Sequence, residues 1–306
     1  MSHAQRRRLH TRKLFWLCYM YDKDLCLISG QPPFLASEYC DLSAPDHSID
    51  DAQESHGEGA LGGVAGQRLL FFFATDPRLA ILKDRVFRLL YAPAALAIME
   101  GELLTRIRQL DDDLENWRLS IGSEIRPTLS IARKSARVLP FSLEHLTTTH
   151  LQLEYNYLLT MIHTTVRRLG AHQGVDKSLP DDLHSVMHSS IDLALGAARS
   201  NILVVGEPVA SSEGIYWHNL FYPLVAAMSL FVNILVHPLT AQASADREWL
   251  TRASDIIART GKRFCVSHSE NKYIELAELF LKELARLADH AIVKSQRQLG
   301  SCIGLE

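Results

Sequence analysis

The sequence predicts an all-α protein, an irregular bundle of roughly eight to ten helices. Three observations carry that expectation. Apolar residues recur at three- and four-residue steps in one segment after another. Helical stop signals close those segments: Gly30 ahead of Pro32 and Pro33, Gly170, and Gly206 ahead of Pro208. No stretch has the alternation or turn chemistry of a hairpin, and short β-branched pieces such as ILVVG sit inside helical periodicity.

The elements follow in order. Arg6 to Ser29 reads as the first helix, with Leu14, Leu17, Tyr21, Leu25 and Ile28 as its apolar stripe. Gly30 suits a left-handed C-cap, and Pro32 and Pro33 forbid a restart and force an extended exit. Phe34 and Leu35 are then placed to tuck back on the helix that carries Trp16 and Tyr19. Residues 36–66 form a long connection whose Asp-, Ser-, Gly- and His-rich part, over 46–66, reads as a mobile loop. A helix is expected from Gln67 to Ala74. Asp76-Pro77 then matches an N-cap with Pro at N1 and opens a long helix from Arg78 to Ile107, bent near Pro93. Asp111 to Ser120 is a further helical stretch around Trp117.

Pro127 and Pro140 bracket a segment without clear period. Leu143 to Leu169 follows, with Leu151, Tyr155, Leu158, Ile162, Val166 and Leu169 on one side. SLPDDLH is a helix start at Ser178, with two acids in the first turn. Its stripe runs Leu183, Met187, Ile191, Leu195, Ala198, Ile202, Val205. Ser212 to Val236 is nearly apolar all round and is expected at the centre of the fold. Asp246 to Thr260 and Ser269 to Gln298 complete a single domain over 1–306.

Composition narrows the function. The 306 residues are 47% hydrophobic and 22% charged, enough for a large core. A net charge of −3 creates no demand for a nucleic-acid partner, although Arg6, Arg7, Arg8, Arg12 and Lys13 cluster at the start and five acids fall between Asp46 and Glu58. Five scattered cysteines argue against a disulfide framework and for a reducing, intracellular setting, nuclear or cytoplasmic. The longest apolar run, Leu220 to Val236, contains Pro223 and Asn233 and fits a buried helix better than a membrane span.

Candidate chemistry is sparse. There is no Gly-x-Ser-x-Gly, no phosphate loop and no dinucleotide fingerprint, and no cofactor or metal is expected. His184, His188 and Asp192 share a helix face at metal-ligand spacing, but Ser185 stands where the hydrolytic zinc motif needs Glu, and a polar surface explains them more simply. His145 and His150 share no face. Glu154, His163, Tyr216 and His218 form one enzyme-like set, because a His moves protons near neutral pH, a carboxylate orients it and a Tyr stabilises an oxyanion. WHNLFYP is the richest aromatic patch. Trp217, Phe221 and Phe231, with Tyr155, could line a pocket for an apolar small molecule, although core packing accounts for them too.

Two stretches resemble a known family. RRRLHTRKLFWLCYMYDKDLCLISGQPPFLASEYCDLSAP carries Arg12, Leu14, Phe15, Trp16, Tyr19, Asp22, Asp24, Leu25, Gly30, Pro32, Pro33, Cys40, Asp41, Leu42 and Pro45 in the order of the fungal-specific transcription factor domain. This is the middle homology region of the zinc binuclear cluster regulators. Downstream, Ala198, Arg199, Ser200, Trp217, Phe221, Tyr222, Pro223, Phe231, Asn233, Ile234 and Pro238 are similar to the same domain's Ala-Arg-Ser helix and the aromatic helix beside it.

The resemblance implies an all-helical regulatory domain working through protein partners, self-association or a small-molecule effector. Five scattered cysteines cannot build the family's six-cysteine cluster, so no direct nucleic-acid binding is expected, and with Leu220 to Val236 read as a buried helix no membrane association is expected either. An enzyme of specialised metabolism on this scaffold, or an accessory dimerisation partner of full-length regulators, are the alternatives.

Overall fold

The first helix begins on a reciprocal cap. Ser2 Oγ accepts from the Gln5 N–H at 3.2 Å, and Gln5 Oε1 accepts from the Ser2 N–H at 2.8 Å. It ends where Gly30 adopts φ 68°, its N–H donating to the Cys26 carbonyl at 2.9 Å. The computed structural model describes residues 2–43, 76–128, 143–169, 181–206, 219–264 and 267–303. The expected loop over 46–66 and the helix expected at Gln67 to Ala74 lie outside them.

Eight α-helices are present among the described residues, with no strand: α1 (His3–Ser29), α2 (Pro77–Val86), α3 (Glu100–Ser120), α4 (Leu143–Thr164), α5 (Asp181–Val205), α6 (Phe221–Val236), α7 (Ala241–Phe264) and α8 (His268–Ile303). The all-α expectation holds. The chain divides into two compact units, Met1–Arg126 and Pro127–Glu306.

In the first unit α1 packs on α2, and α2 on α3. The inward face of α1 carries Trp16, Tyr19, Met20, Lys23 and Leu27. The stripe expected from periodicity points the other way: Leu14, Leu17, Tyr21, Leu25 and Ile28 are all exposed. Asp76 caps α2 by accepting from the Arg78 N–H at 2.9 Å, as its position before Pro77 implies.

The single helix expected from Arg78 to Ile107 is in fact broken. α2 unwinds into a π turn over Phe87–Tyr91 and then a 3-10 turn over Pro93–Ala97. Pro93 forces Ala92 into an extended conformation (ψ 149°), and a new helix starts at Glu100. That helix, α3, then runs through the break expected near Asp111. Leu103, Ile107, Leu110, Leu114 and Trp117 keep one continuous buried stripe, so the acidic run Asp111–Asp113 sits within an intact helix.

In the second unit α4 packs on both α5 and α6, and α6 packs also on α7 and α8. α4 is almost wholly enclosed from Leu151 to Thr160. Arg199 on α5 forms a bidentate pair with buried Asp246 on α7, at 2.7 and 3.0 Å, which ties the Ala-Arg-Ser segment to the core. α7 and α8 approach closely at Gly261, where an added Cβ would lie 2.3 Å from Ile274 Cγ2. α6, expected at the centre because it is apolar all round, is buried on one side only. Met228, Val232, Leu235 and Val236 are exposed.

Candidate functional site

In the first unit the recognised motif builds a clamp. Asp22 receives the backbone N–H groups of Phe34 and Leu35 at 2.8 and 3.0 Å. Lys23, fully buried, donates to Asp22 at 3.0 Å and to the Leu35 carbonyl. Its ammonium also lies 3.3 Å from Asp84 and 4.5 Å from the Tyr19 ring centroid. A second buried pair, Lys83 with Asp24, stands alongside, and Arg88 reaches Asp84 at 2.8 Å. The Gly30-Gln31-Pro32-Pro33 exit is thus fastened to α1 by charge-assisted bonds.

Leu35 tucks against Trp16, Tyr19 and Met20 as expected, but Phe34 does not: it is 96% exposed. Asp22 holds the Phe34 backbone, while the ring stands in solvent. Arg12 lies over the rings of Phe15 and Trp16, donates to Ser43 and sits 3.4 Å from Asp41. The N–H of Ser43, with Arg12 behind it, holds the exposed Asp41 carboxyl below the usual carboxylate range. Burial drives the Tyr19 phenol and the Cys26 thiol up to about 12. This clamp fixes a loop. The two buried lysines were missed in the sequence, where they look like ordinary charges on an amphipathic helix.

The second unit contains a polar core around α4. Glu154 is 1% exposed and accepts from the Tyr222 hydroxyl at 2.8 Å. His150 Nε2 lies 3.4 Å from the same carboxylate oxygen, and His150 Nδ1 lies 3.3 Å from Asn219 Oδ1. Tyr157 meets both Phe221 and Tyr222 edge-on, at 5.2 and 5.7 Å between centroids. His163 instead faces α5, its Nδ1 3.3 Å from Ser190 Oγ.

Glu154 and His163 are therefore not brought together. Nine residues of helix separate them by about 13 Å of rise and turn them to opposite sides of α4. Tyr216, Trp217 and His218 lie outside the described residues. Tyr155 is buried, and Phe221 and Phe231 are half-buried. His150 and, within the aromatic patch, Asn219 and Tyr222 were noted in the sequence but not joined to Glu154. The available signal was the α6 register, which sets Tyr222 on one face with Ala226 and Asn233.

His184 and His188 stack with ring centroids 4.8 Å apart, both exposed, as is Asp192. Among the described residues no three His, Cys, Asp or Glu side chains gather to hold a metal ion, and no helix is long and apolar enough to cross a membrane.

An open groove of about 410 Å³ runs along the outer side of α6. Leu224, Val225, Met228 and Val232 form its floor, and Thr164 and Arg167, at the end of α4 and the turn after it, form one wall. Arg167 donates to Asn233 Oδ1 at 3.0 Å.

No family model and no solved structure matches the chain. Curated relatives do. It is 28% identical over 94% of its length to an ABC-transporter-regulating transcription factor of Aspergillus fumigatus, and equally to one of Aspergillus oryzae. It is 23% identical, again over 94% of its length, to the fusaridione A cluster transcription factor of Fusarium heterosporum. The chain spans 31% of the length of the two Aspergillus proteins and 50% of the Fusarium one. The resemblance carried by Arg12 to Pro45 and Ala198 to Pro238 thus extends over nearly the whole chain, which is similar throughout to a part of fungal transcription factors.

Proposed function

We propose that the chain is an effector-responsive regulatory domain of the fungal transcription-factor type, acting on transcription through the state of its helices and without chemistry of its own. The observation that carries this is the 94% coverage by transcription factors. The buried polar groups agree with it: Glu154, His150 and Tyr222 are 1%, 6% and 0% exposed, and His150 and Tyr222 both meet the Glu154 carboxylate, an arrangement that orders a core. Two of the relatives regulate ABC transporters and a third serves the fusaridione A cluster, so an effector of small-molecule type fits the role. Nuclear residence follows from the same role.

The test is a screen of small molecules against the purified chain by thermal shift, with native mass spectrometry of the chain isolated from a fungal host. A saturable stabiliser or a co-purifying species is expected, since a ligand that binds only the folded state raises its melting temperature. Turnover of a bound compound would favour the enzyme alternative.

A second role, dimerisation with another regulator chain, is favoured by α1. Leu14, Cys18, Tyr21, Leu25 and Ile28 are exposed at alternating four- and three-residue steps, the spacing of a coiled-coil seam. Light scattering that finds a strict monomer at micromolar concentration, with and without a full-length relative, would exclude it.

A further inference from the structure

Helix α6 is nearly apolar all round, with Ser229 and Asn233 as exceptions, yet it is buried on one side only. Tyr222, Ala226, Ala227, Leu230 and Ile234 face inward. On the outer side Met228 and Val232 are 39% and 36% exposed, in the floor of the groove. An apolar helix is normally buried all round, so an uncovered apolar face in a groove is a candidate binding surface. The volume of about 410 Å³ is in the range of small-molecule sites.

The lining states what kind of occupant. Its hydroxyls are turned to their own helices: Thr164 Oγ1 donates to the Thr160 carbonyl at 2.7 Å and Ser229 Oγ to the Val225 carbonyl at 3.0 Å. Arg167 is the one charged side chain among the described lining residues. A guanidinium carries five N–H donors in a fork that matches a carboxylate. Among the described residues one of them is engaged, by the neutral Asn233. Burial pulls Arg167 below the ordinary arginine range, and among the described residues no carboxylate offsets that pull. A half-buried cation at the rim of an apolar groove is complementary to a single anion on an apolar body. An acidic peptide helix would bring several carboxylates to one cation.

We propose that this groove binds an apolar monocarboxylate, its hydrocarbon along Leu224, Val225, Met228 and Val232 and its carboxylate on Arg167. This rests on, and makes specific, the effector-responsive role proposed above.

The test measures binding of decanoate and of 1-decanol, each below its aggregation limit, to the intact chain by calorimetry. Wild type is compared with Arg167→Met, Arg167→Lys and Met228→Gln, and circular dichroism verifies that each variant is folded. The expected result is saturable decanoate binding, weakened at least tenfold by Arg167→Met and less by Arg167→Lys. Decanol binding should be unchanged by either arginine variant, and Met228→Gln should weaken both ligands.

Equal decanoate binding by wild type and Arg167→Met would overturn the carboxylate assignment while leaving an effector role standing. No binding of either probe, in a chain that still controls a reporter when tethered to DNA, would overturn the groove as the ligand site but not the regulatory role. Self-association that is abolished by Met228→Gln and unaffected by decanoate would assign this face to a second copy and overturn the proposal.

Discussion

Lys23 shows how much a single residue can carry. Its ammonium, excluded from solvent, holds Asp22 and Asp84 and reaches the Leu35 carbonyl. Replacing one member of such a set leaves the others charged and buried, so Lys23→Met should cost about 3 kcal/mol in urea unfolding. The companion change Asp84→Asn should recover part of it, because it removes a buried carboxylate that half-exposed Arg88 alone would then have to balance. Cys26 gives a second test. Its buried thiol, pushed to about 12, should resist iodoacetamide at pH 8, whereas exposed Cys18 should be alkylated within the same interval, as read by peptide mass spectrometry.

The same protonation preference sets an alkaline limit. Cys26 and Tyr19 hold their protons to about 12 in the fold, above the ordinary 9.0 and 10.0, so the folded state binds protons the unfolded chain has released. Their contribution to stability is complete below about pH 9 and declines as pH rises toward 12. Tyr19→Phe should flatten that decline in denaturant titrations. None of this could be read from the sequence, because Lys23 and Asp24 make the buried face of α1 look like its solvent face.

At the scale of elements, α1 is apolar on two sides. Leu14, Leu17, Tyr21, Leu25 and Ile28 repeat cleanly and are exposed, while Trp16, Tyr19, Met20 and Leu27 are buried among charges. Local periodicity cannot choose between two apolar faces; the neighbours decide. The helix starts and stops that rest on backbone chemistry were legible at Gly30 and at Asp76-Pro77; at Pro93 a bend was expected where the chain breaks into a π turn and a 3-10 turn.

The contact of α7 with α8 offers a prediction with competing terms. Ala is a better helix former than Gly by up to about 1 kcal/mol, but a Cβ at 261 would meet Ile274 Cγ2 at 2.3 Å. The clash wins, since Ile274 is buried and overpacking costs about 1–3 kcal/mol. Gly261→Ala should lower stability, and Ile274→Val in the same chain should return part of the loss.

At the scale of the whole molecule, the sequence revealed the all-α class and its kinship through residue order, since neither depends on knowing which face of a helix is inside. Of the enzyme-like set, Glu154 and His163 fall on opposite sides of α4; of the partners that Glu154 does have, His150 stands one turn earlier on the same helix, a spacing visible in the sequence, while Tyr222 is brought from α6 by packing. The central claim is that this chain is a regulatory domain. The most direct measurement is transcription from a reporter in a fungal cell, with the intact chain fused to an unrelated DNA-binding module and the module alone as baseline. Reporter output that departs from baseline and shifts with an added effector is the result expected. A well-expressed fusion whose output stays at baseline under every condition would contradict it.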